Sequence, residues 1–365
     1  MRTLQIANDY LGSKLYSLLF SALEERGHSH QIFVPVKNKV KPQDLGENIH
    51  VVPCFDDLDR LLFFRKQNKM LSYLEGKFHM DSFDLVHAHT VFSAGYTALQ
   101  LKKRYDLPYI VAVRDTDVNI FYKYMIHLRP LGVEILKNAS HVIFLSPAYR
   151  DKVLSKWVSG KTREEIAAKS HVIPNGIAKL FLEPQAKAHP GCHDPLRLIC
   201  VGLINSRKNP ELTVEAAQLL RSRGEQVNLT FIGQMKEEKY KPLMEKDFVT
   251  WVDKCPQTEV LEYLRQADIF VMPSHTETFG LVYAEAMSQG LPVLYTAGQG
   301  FDGQFPEGEV GFAVSDEDAA DIADKILKIR DNYVKMSENA VSGAARFDWD
   351  AIGDKYHQLY QEMHP

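Results

Sequence analysis

Short runs of β-branched and apolar residues recur along the chain, each followed by a helix-type pattern, and this alternation restricts the fold more than any other feature. In the first half TLQIAN, HQIFVPV, DLVHAHT, PYIVAVR and HVIFLS are strand-like, while SKLYSLLFSALEERG and FSAGYTALQLKKRY have helical spacing. The second half repeats the rhythm with LRLICVG, VNLTFIG, VTWVD, DIFVMPS and PVLYTA, separated by PELTVEAAQLLRSRG, TEVLEYLRQ and GLVYAEAMSQG. Several of these strands are apolar without interruption, as parallel strands must be when helices cover both faces. The expected class is α/β, with two Rossmann-like, doubly wound parallel-sheet domains facing a cleft. A length of 365 residues, beyond one ordinary core, agrees with two domains. The Pro-Asn-Gly turn in HVIPNGIAKLFLEPQAKAHPGCHDP and the polar stretch after it read as the join. This gives domains at 1–178 and 179–345, and a last amphipathic helix at about 346–365 that can pack back on the first.

Composition narrows the function classes. Hydrophobic residues make up 45% and charged residues 25%, and no apolar run is long enough to cross a bilayer. The opening MRTLQIANDY enters a strand pattern directly, without a basic then apolar leader, so the chain is expected in the cytosol. Cys54, Cys192, Cys200 and Cys255 are far apart, lack metal-ligand spacing and sit in or beside apolar stretches, which predicts buried reduced thiols. Residues 1–175 carry 24 Lys and Arg against 18 Asp and Glu, and residues 176–365 carry 19 against 29. A first half at +6 suits an anionic partner, either a phosphate-bearing molecule or an acidic membrane, but lacks the basic stripe of a nucleic-acid binder.

The stretch HTETFGLVYAEAMSQG places Glu277 and Glu285 on either side of a strand-to-helix turn. A helix starting near Gly280 would follow a tight turn at Phe279-Gly280 and would direct the amides of Gly280, Leu281 and Val282 toward a ligand. Such a terminus suits phosphate. Seven intervening residues let the two carboxylates flank a diphosphate, yet the same spacing fits one glutamate complementing the dipole and the other solvated on the helix. Spacing leaves both readings open. In VGLINSRKNPEL a strand ends at Gly202 and a loop carries Arg207 and Lys208, cations able to neutralise a leaving diphosphate or simply to be solvated.

Taken together, VIPNGI with Phe181, Gly202 with Lys208, ADIFVMPS, ETFGLVYAE, EAMSQGLPV and GEVGFAV resemble the retaining, nucleotide-sugar-dependent glycosyltransferases of family four, of GT-B fold. The resemblance runs almost continuously through the second half and is looser in the first. It implies a UDP- or GDP-sugar donor held mainly by the second domain. Glu277 would meet the donor sugar, Glu285 the ribose, Lys208 and Arg207 the diphosphate, and Phe279, Gly280, Leu281 and Val282 would supply the turn and its amides. In the first half Gly12 stands alone where the family often has a double glycine. RDTD places Arg114 where the family has His and Asp117 where it has Asp, so these two are candidates for acceptor or sugar. YTAGQGFDGQFPEGEVG is similar to enzymes that build bacterial capsule, exopolysaccharide or teichuronic-type polymers, implying a glycan or lipid-linked acceptor. No cofactor or metal is implied.

Other signals compete. Asp115-Thr116-Asp117 spells a metal-binding triplet of a different glycosyltransferase fold, but lies in the wrong domain for donor phosphates. His87-Ala88-His89 puts two imidazoles on one strand face and reads as cleft-lining or hydrogen-bonded, because further metal ligands are not identifiable. RLLFFRKQNKMLSYLEGKF (60–78) mixes Phe63, Phe64 and leucines with Arg65, Lys66 and Lys69, fitting a packed helix with a basic face or contact with an anionic membrane at the inner face of the cell. FYKYMIHLR (121–129) is a rival place for that contact. A nucleotide-sugar epimerase of the same fold, or a non-catalytic nucleotide-sugar-binding subunit, is the alternative function.

Overall fold

The computed structural model describes residues 1–38, 45–183 and 190–363, apart from the side chains of Arg60 and Leu61. Part of the join (184–189) and the last two residues of the expected final helix thus lie outside the described residues. Among the described residues, the first sheet contains β1 (Arg2–Ile6), β2 (Ser29–Lys37), β3 (Ile49–Phe55), β4 (Leu85–Ala88), β5 (Tyr109–Val113), β6 (His141–Phe144) and β7 (Ser170–Val172) in the order β3-β2-β1-β4-β5-β6-β7. The second contains β8 (Leu196–Val201), β9 (Val227–Ile232), β10 (Val249–Val252), β11 (Ile269–Met272), β12 (Val293–Thr296) and β13 (Gly311–Val314) in the order β10-β9-β8-β11-β12-β13. Every described pairing is parallel. In each sheet the winding reverses, between β1 and β4 in one and between β8 and β11 in the other. Such switch points are where open α/β sheets bind ligands, beyond the strands' carboxyl ends.

Alternation along the strands explains the two-sided core. Val111 and Val113 join one apolar cluster with Leu71, Leu74 and Phe144, whereas Ile110 and Ala112 join another with Leu19, Phe20 and Leu23. Successive side chains of one strand therefore serve opposite layers of helices. The Trp349–Glu362 helix buries Trp349, Ile352, Tyr356 and Tyr360 in that second cluster, and Arg26 fixes it by donating to Asp354 Oδ1 and the Asp350 carbonyl, both at 2.7 Å. The chain divides after Pro174 rather than near 178. One unit holds residues 1–145, 149–174 and the chain from Trp349 onward, and the other holds Ser146–Ala148 and Asn175–Asp348. The Pro-Asn-Gly turn itself is the crossing.

The expectation of four buried thiols changes. All four cysteines are free, but Cys200 alone is fully buried, while Cys54, Cys192 and Cys255 are half-buried. Burial still pushes the thiols of Cys54 and Cys200 up, to about 11 and about 12. Within 60–78, the helix Phe63–Lys77 buries Gln67, Met70, Leu71 and Leu74, so it is a packed element that leaves Phe64 exposed. No helix among the described residues is long and apolar enough to cross a membrane.

Candidate active site

The second unit gathers its candidate residues at the β8/β11 switch point. The loop after β8 is shaped by its own asparagines. Asn205 caps the short turn Ser206–Lys208 by accepting from the Lys208 amide at 3.1 Å, and Asn209 takes the left-handed conformation (φ 55°) before Pro210 starts the next helix. Glu237, not foreseen from sequence, accepts from the Ser206 amide at 2.8 Å and its hydroxyl at 3.0 Å, anchoring the loop. Lys208 is thereby laid along the strand end and is only 8% exposed. Gly202 ends the strand at φ +155°, a backbone conformation that L side chains rarely adopt, beside the Lys208 side chain. Arg207 remains exposed, and its carbonyl accepts from the His275 amide at 2.9 Å, tying this loop to the one after β11.

That tie brings Lys208 to Glu277. Lys208 Nζ donates to Glu277 Oε2 at 2.5 Å and lies 3.4 Å from Met272 Sδ. The sequence reading gave these two residues separate ligands, the sugar and the diphosphate; in the structure they form one ion pair. Gln299 Oε1 accepts from the Glu277 amide at 3.1 Å, and the Glu277 carbonyl accepts from Gly300 at 2.6 Å, so the loop after β12 fixes the glutamate backbone. Neither Gln299 nor Gly300 has a local sequence signal for this role.

The helix Leu281–Ser288 begins where expected, with Gly280 at φ 74° as its N-cap. Its first-turn amides lack carbonyls four residues back, and free amides at a helix start are able to donate to an anion. Leu281 and Val282 are half-buried there, and Phe279 stands at the turn before them. Its ring is 2% exposed and packs 5.5 Å from the ring of Phe347 and 6.2 Å from that of Phe301, which leaves backbone as what it can offer a donor. Glu285 is not solvated on the helix surface: it is 8% exposed, and burial pushes its carboxyl up to about 7. A buried carboxylate is retained where a hydrogen-bonding ligand compensates it more readily than as decoration.

Gly280 yields a direct test. A Cβ there would meet the Tyr283 ring at 2.5 Å and Glu277 Cγ at 3.1 Å, in a backbone conformation that L-residues disfavour. Tyr283 cannot yield easily, being 1% exposed with its hydroxyl donating to the Met272 carbonyl at 2.7 Å. Gly280→Ala is expected to cost about 1–2 kcal/mol or more in urea unfolding and to weaken nucleotide binding. An unchanged unfolding midpoint would contradict this account of the turn.

In the first unit Asp117 is corrected. It is 1% exposed, and its oxygens accept from the amides of Val91 (3.0 Å), Phe92 (3.1 Å) and Arg114 (2.9 Å), so it shapes the turns after β4 and β5 rather than offering itself to a sugar. Burial raises its carboxyl to about 6. Asp115 accepts from Asn119 Nδ2 at 2.6 Å, and no group of three or more His, Cys, Asp or Glu able to hold a metal occurs among the described residues. Arg114 Nε lies 3.4 Å from the His89 carbonyl. His87 and His89 are fully buried, stacked at 4.1 Å and hydrogen-bonded to Tyr360 and Gln5, so they do not line a cleft. Gly12 ends a short turn, Tyr10–Gly12, in open surroundings.

Two sequence families match the chain. The one described as "Glycosyl transferases group 1" covers residues 183–346, and "Glycosyltransferase Family 4" covers 17–178. The chain belongs to the family-four glycosyltransferases. Its fold is GT-B. Among family relatives, a D-inositol 3-phosphate glycosyltransferase of Paenarthrobacter aurescens is 24% identical over 91% of this chain and 82% of its own length. A glycogen synthase of Mycobacterium tuberculosis is 26% identical over 76% of this chain and 68% of its own. Sucrose-phosphate synthase from Thermosynechococcus elongatus shares the fold, with a TM-score of 0.75 and 22% identity over 99% of this chain and 98% of its own. Anabaena HepE in complex with UDP-glucose does so at 0.69 and 17%, covering 99% of this chain and 100% of that one.

Proposed function

We propose that this family member transfers a hexosyl or N-acetylhexosaminyl unit from a UDP- or GDP-sugar to a hydroxyl of a glycan or lipid-linked acceptor, with retention at the anomeric carbon, in the synthesis of a cell-surface polysaccharide. The carrying observation is the Lys208–Glu277 pair beside a helix that starts at left-handed Gly280 and buries Glu285. The bond from the anomeric carbon to the diphosphate oxygen breaks, and charge grows on the departing diphosphate. Lys208, Arg207 and the amides of Leu281 and Val282 are the groups that would stabilise it. Glu277, held by Lys208 and Gln299, would accept from donor-sugar hydroxyls, and Glu285 from the ribose. The acceptor oxygen forms the new bond, and its proton passes to a departing phosphate oxygen, so no side-chain base is needed. Fixed cations and amides supply the neutralisation that a metal provides in other folds, which supports a metal-independent reaction. The similarity to a fold-mate solved with UDP-glucose favours a uridine donor. We place the reaction in the cytoplasm.

A donor panel of UDP- and GDP-sugars, scored by thermal shift and by release of nucleotide diphosphate, tests this reading, with Glu277→Ala and added chelator as controls. Stabilisation without turnover in the presence of membrane extract would favour a binding subunit, and chelator-sensitive turnover would overturn metal independence. Product stereochemistry by NMR decides retention.

Glu285 adds a pH signature. With its folded carboxyl raised from 4.5 to about 7, the carboxylate that would bind ribose most strongly accumulates only as pH rises through 7. Nucleotide affinity is expected to rise by up to about tenfold between pH 6 and 8, and Glu285→Gln to flatten that rise. Isothermal titration at both pH values reads it. A wild-type affinity indifferent to pH would remove the ribose role.

A further inference from the structure

The β1/β4 switch point of the first unit holds a second built feature. The loops after β1 and β4 and the ends of β2 and β3 line a cavity of about 480 Å³ together with residues near Phe63 and Phe121. The two basic-aromatic stretches that compete in sequence thus line one cavity. A volume of this size is that of a small-molecule site. Its walls include Phe55, Phe63, Phe121, Met125 and Leu128, with the Phe63 and Phe121 rings 6.2 Å apart. Cations meet that apolar wall: Lys66 Nζ sits 4.5 Å over the Phe55 ring, and Lys37, paired with Asp57, and His127 also line the cavity, with Asp9 the opposing carboxylate. Thr90 is 3% exposed, and its Oγ1 has no hydrogen-bond partner among the described residues; the same holds for Asn8 Oδ1. Both line the cavity. A buried hydroxyl without a partner is costly, and a ligand hydroxyl would relieve it.

Resting on the glycosyltransferase reading, we propose that this cavity is the acceptor site and that the acceptor is a phosphate-linked lipid. Each part of such a molecule has a counterpart. Aromatic and aliphatic walls take the hydrocarbon next to the phosphate, Lys66 takes the phosphate, and Thr90 and Asn8 hydrogen-bond the hydroxyl-bearing end. A purely polar sugar acceptor would leave the five apolar side chains uncompensated. The surroundings argue that the acceptor arrives from a bilayer. Leu58, Leu62, Phe64, Ile120, Tyr124 and Ile126 are 45–67% exposed, and all lie on the segments that supply the cavity wall or directly beside them. Exposed apolar residues gathered beside lysines, in the half of the chain with net charge +6, suit an anionic lipid surface.

The test uses the full chain and four probes by isothermal titration: farnesyl phosphate, farnesol, inorganic phosphate and inositol 3-phosphate. Farnesyl phosphate is expected to bind at least about tenfold more tightly than any of the others. Lys66→Gln is expected to lose about tenfold for farnesyl phosphate and nothing for farnesol. Ile120→Gln, at an exposed lining position that folding tolerates, is expected to weaken both prenyl compounds. Equal affinity for farnesol and farnesyl phosphate would overturn the phosphate assignment, and inositol 3-phosphate binding as tightly as the prenyl phosphate would overturn the lipid one. Vesicles of phosphatidylglycerol and phosphatidylcholine should pellet the wild type and lose the Phe64→Ser/Tyr124→Ser variant; equal pelleting would overturn delivery from the bilayer. Binding of UDP is measured alongside, because it reports the second unit. Its absence would sink the donor reading while leaving the cavity result to be judged by itself.

Discussion

Lys208→Met is expected to reduce release of nucleotide diphosphate by about 10²–10³-fold, the range found when one preorganised donor to a developing anion is removed. The lysine is suited to that role because it is already desolvated, at 8% exposure, and already positioned by Asn205 and Glu277. It need not reorganise when charge develops. The substitution also leaves Glu277 without its 2.5 Å partner, and breaking a buried ion pair costs about 3–5 kcal/mol, less where water reaches the group. Thermal melting must therefore accompany the kinetics. Because the two residues act as a unit, Lys208→Met/Glu277→Ala is expected to lose little more turnover than the worse single variant, and to recover part of the stability lost by Lys208→Met. A well-folded Lys208→Met enzyme keeping more than about a tenth of wild-type turnover would sink the leaving-group assignment.

The second large effect is acid lability of the first unit. Burial lowers His87 to about 3 and His89 well below its usual value, with the Arg114 guanidinium acting in the same direction on both. His28 and His30 are lowered to about 4, again mainly by burial. Gln5 and Tyr360 link His30, His87 and His89 by hydrogen bonds, and the His28 ring packs 5.0 Å from that of Tyr360. His28 pairs with His357 at 2.8 Å, His30 with Thr3 at 2.7 Å, His89 Nε2 donates to Gln5 Oε1 at 2.9 Å, and His87 meets the Tyr360 hydroxyl at 2.8 Å. In the unfolded chain each titrates near 6.5, so as pH falls below 6.5 the unfolded state gains protons that the folded state refuses. Stability is present at neutral pH and is lost as pH falls toward the folded values. His87 and His89 together should remove about 4 kcal/mol between pH 7 and 5, a large share of the usual 5–15 kcal/mol of a domain. Urea melts at pH 7, 6 and 5 check this, using Trp157 and Trp349 in the first unit and Trp251 in the second as fluorophores. The first unit should lose stability steeply, and His87→Asn/His89→Gln should shallow its slope by about 2 kcal/mol per pH unit. Equal first-unit stability at pH 7 and 5 would refute the network's role.

Most of the scaffold was legible because buried parallel strands announce themselves as uninterrupted apolar runs. The strands not foreseen, IHVVPCF (β3), SHV (β7) and GFAV (β13), all lie at sheet edges. An edge strand pairs on one side only, so it can be short and can carry Pro53, and the pattern that betrays a central strand is missing. The helix start at Gly280 was equally legible, since a strand, a Phe-Gly turn and an apolar helix pattern are all local. Asp117 was misjudged for the opposite reason. Motif position says nothing about which side of a loop faces solvent, and the groups that hold its carboxylate, the Val91 and Phe92 amides, are distant in sequence.

The sequence by itself determined two wound parallel sheets, a family, and a small set of charged residues at strand ends, because those properties rest on periodicity and on turn chemistry within about 15 residues. Only the tertiary structure decided which of these residues meet. Lys208 and Glu277 are 69 positions apart and become an ion pair because β8 and β11 are neighbours at the point where the winding reverses. Glu285, which spacing leaves either at a ligand or solvated on the helix, is a buried carboxyl with a value near 7, since desolvation is a property of the assembled core. The stretches around Phe63 and Phe121, rivals along the chain, share one cavity because loops from adjacent strands converge at the reversal of the first sheet.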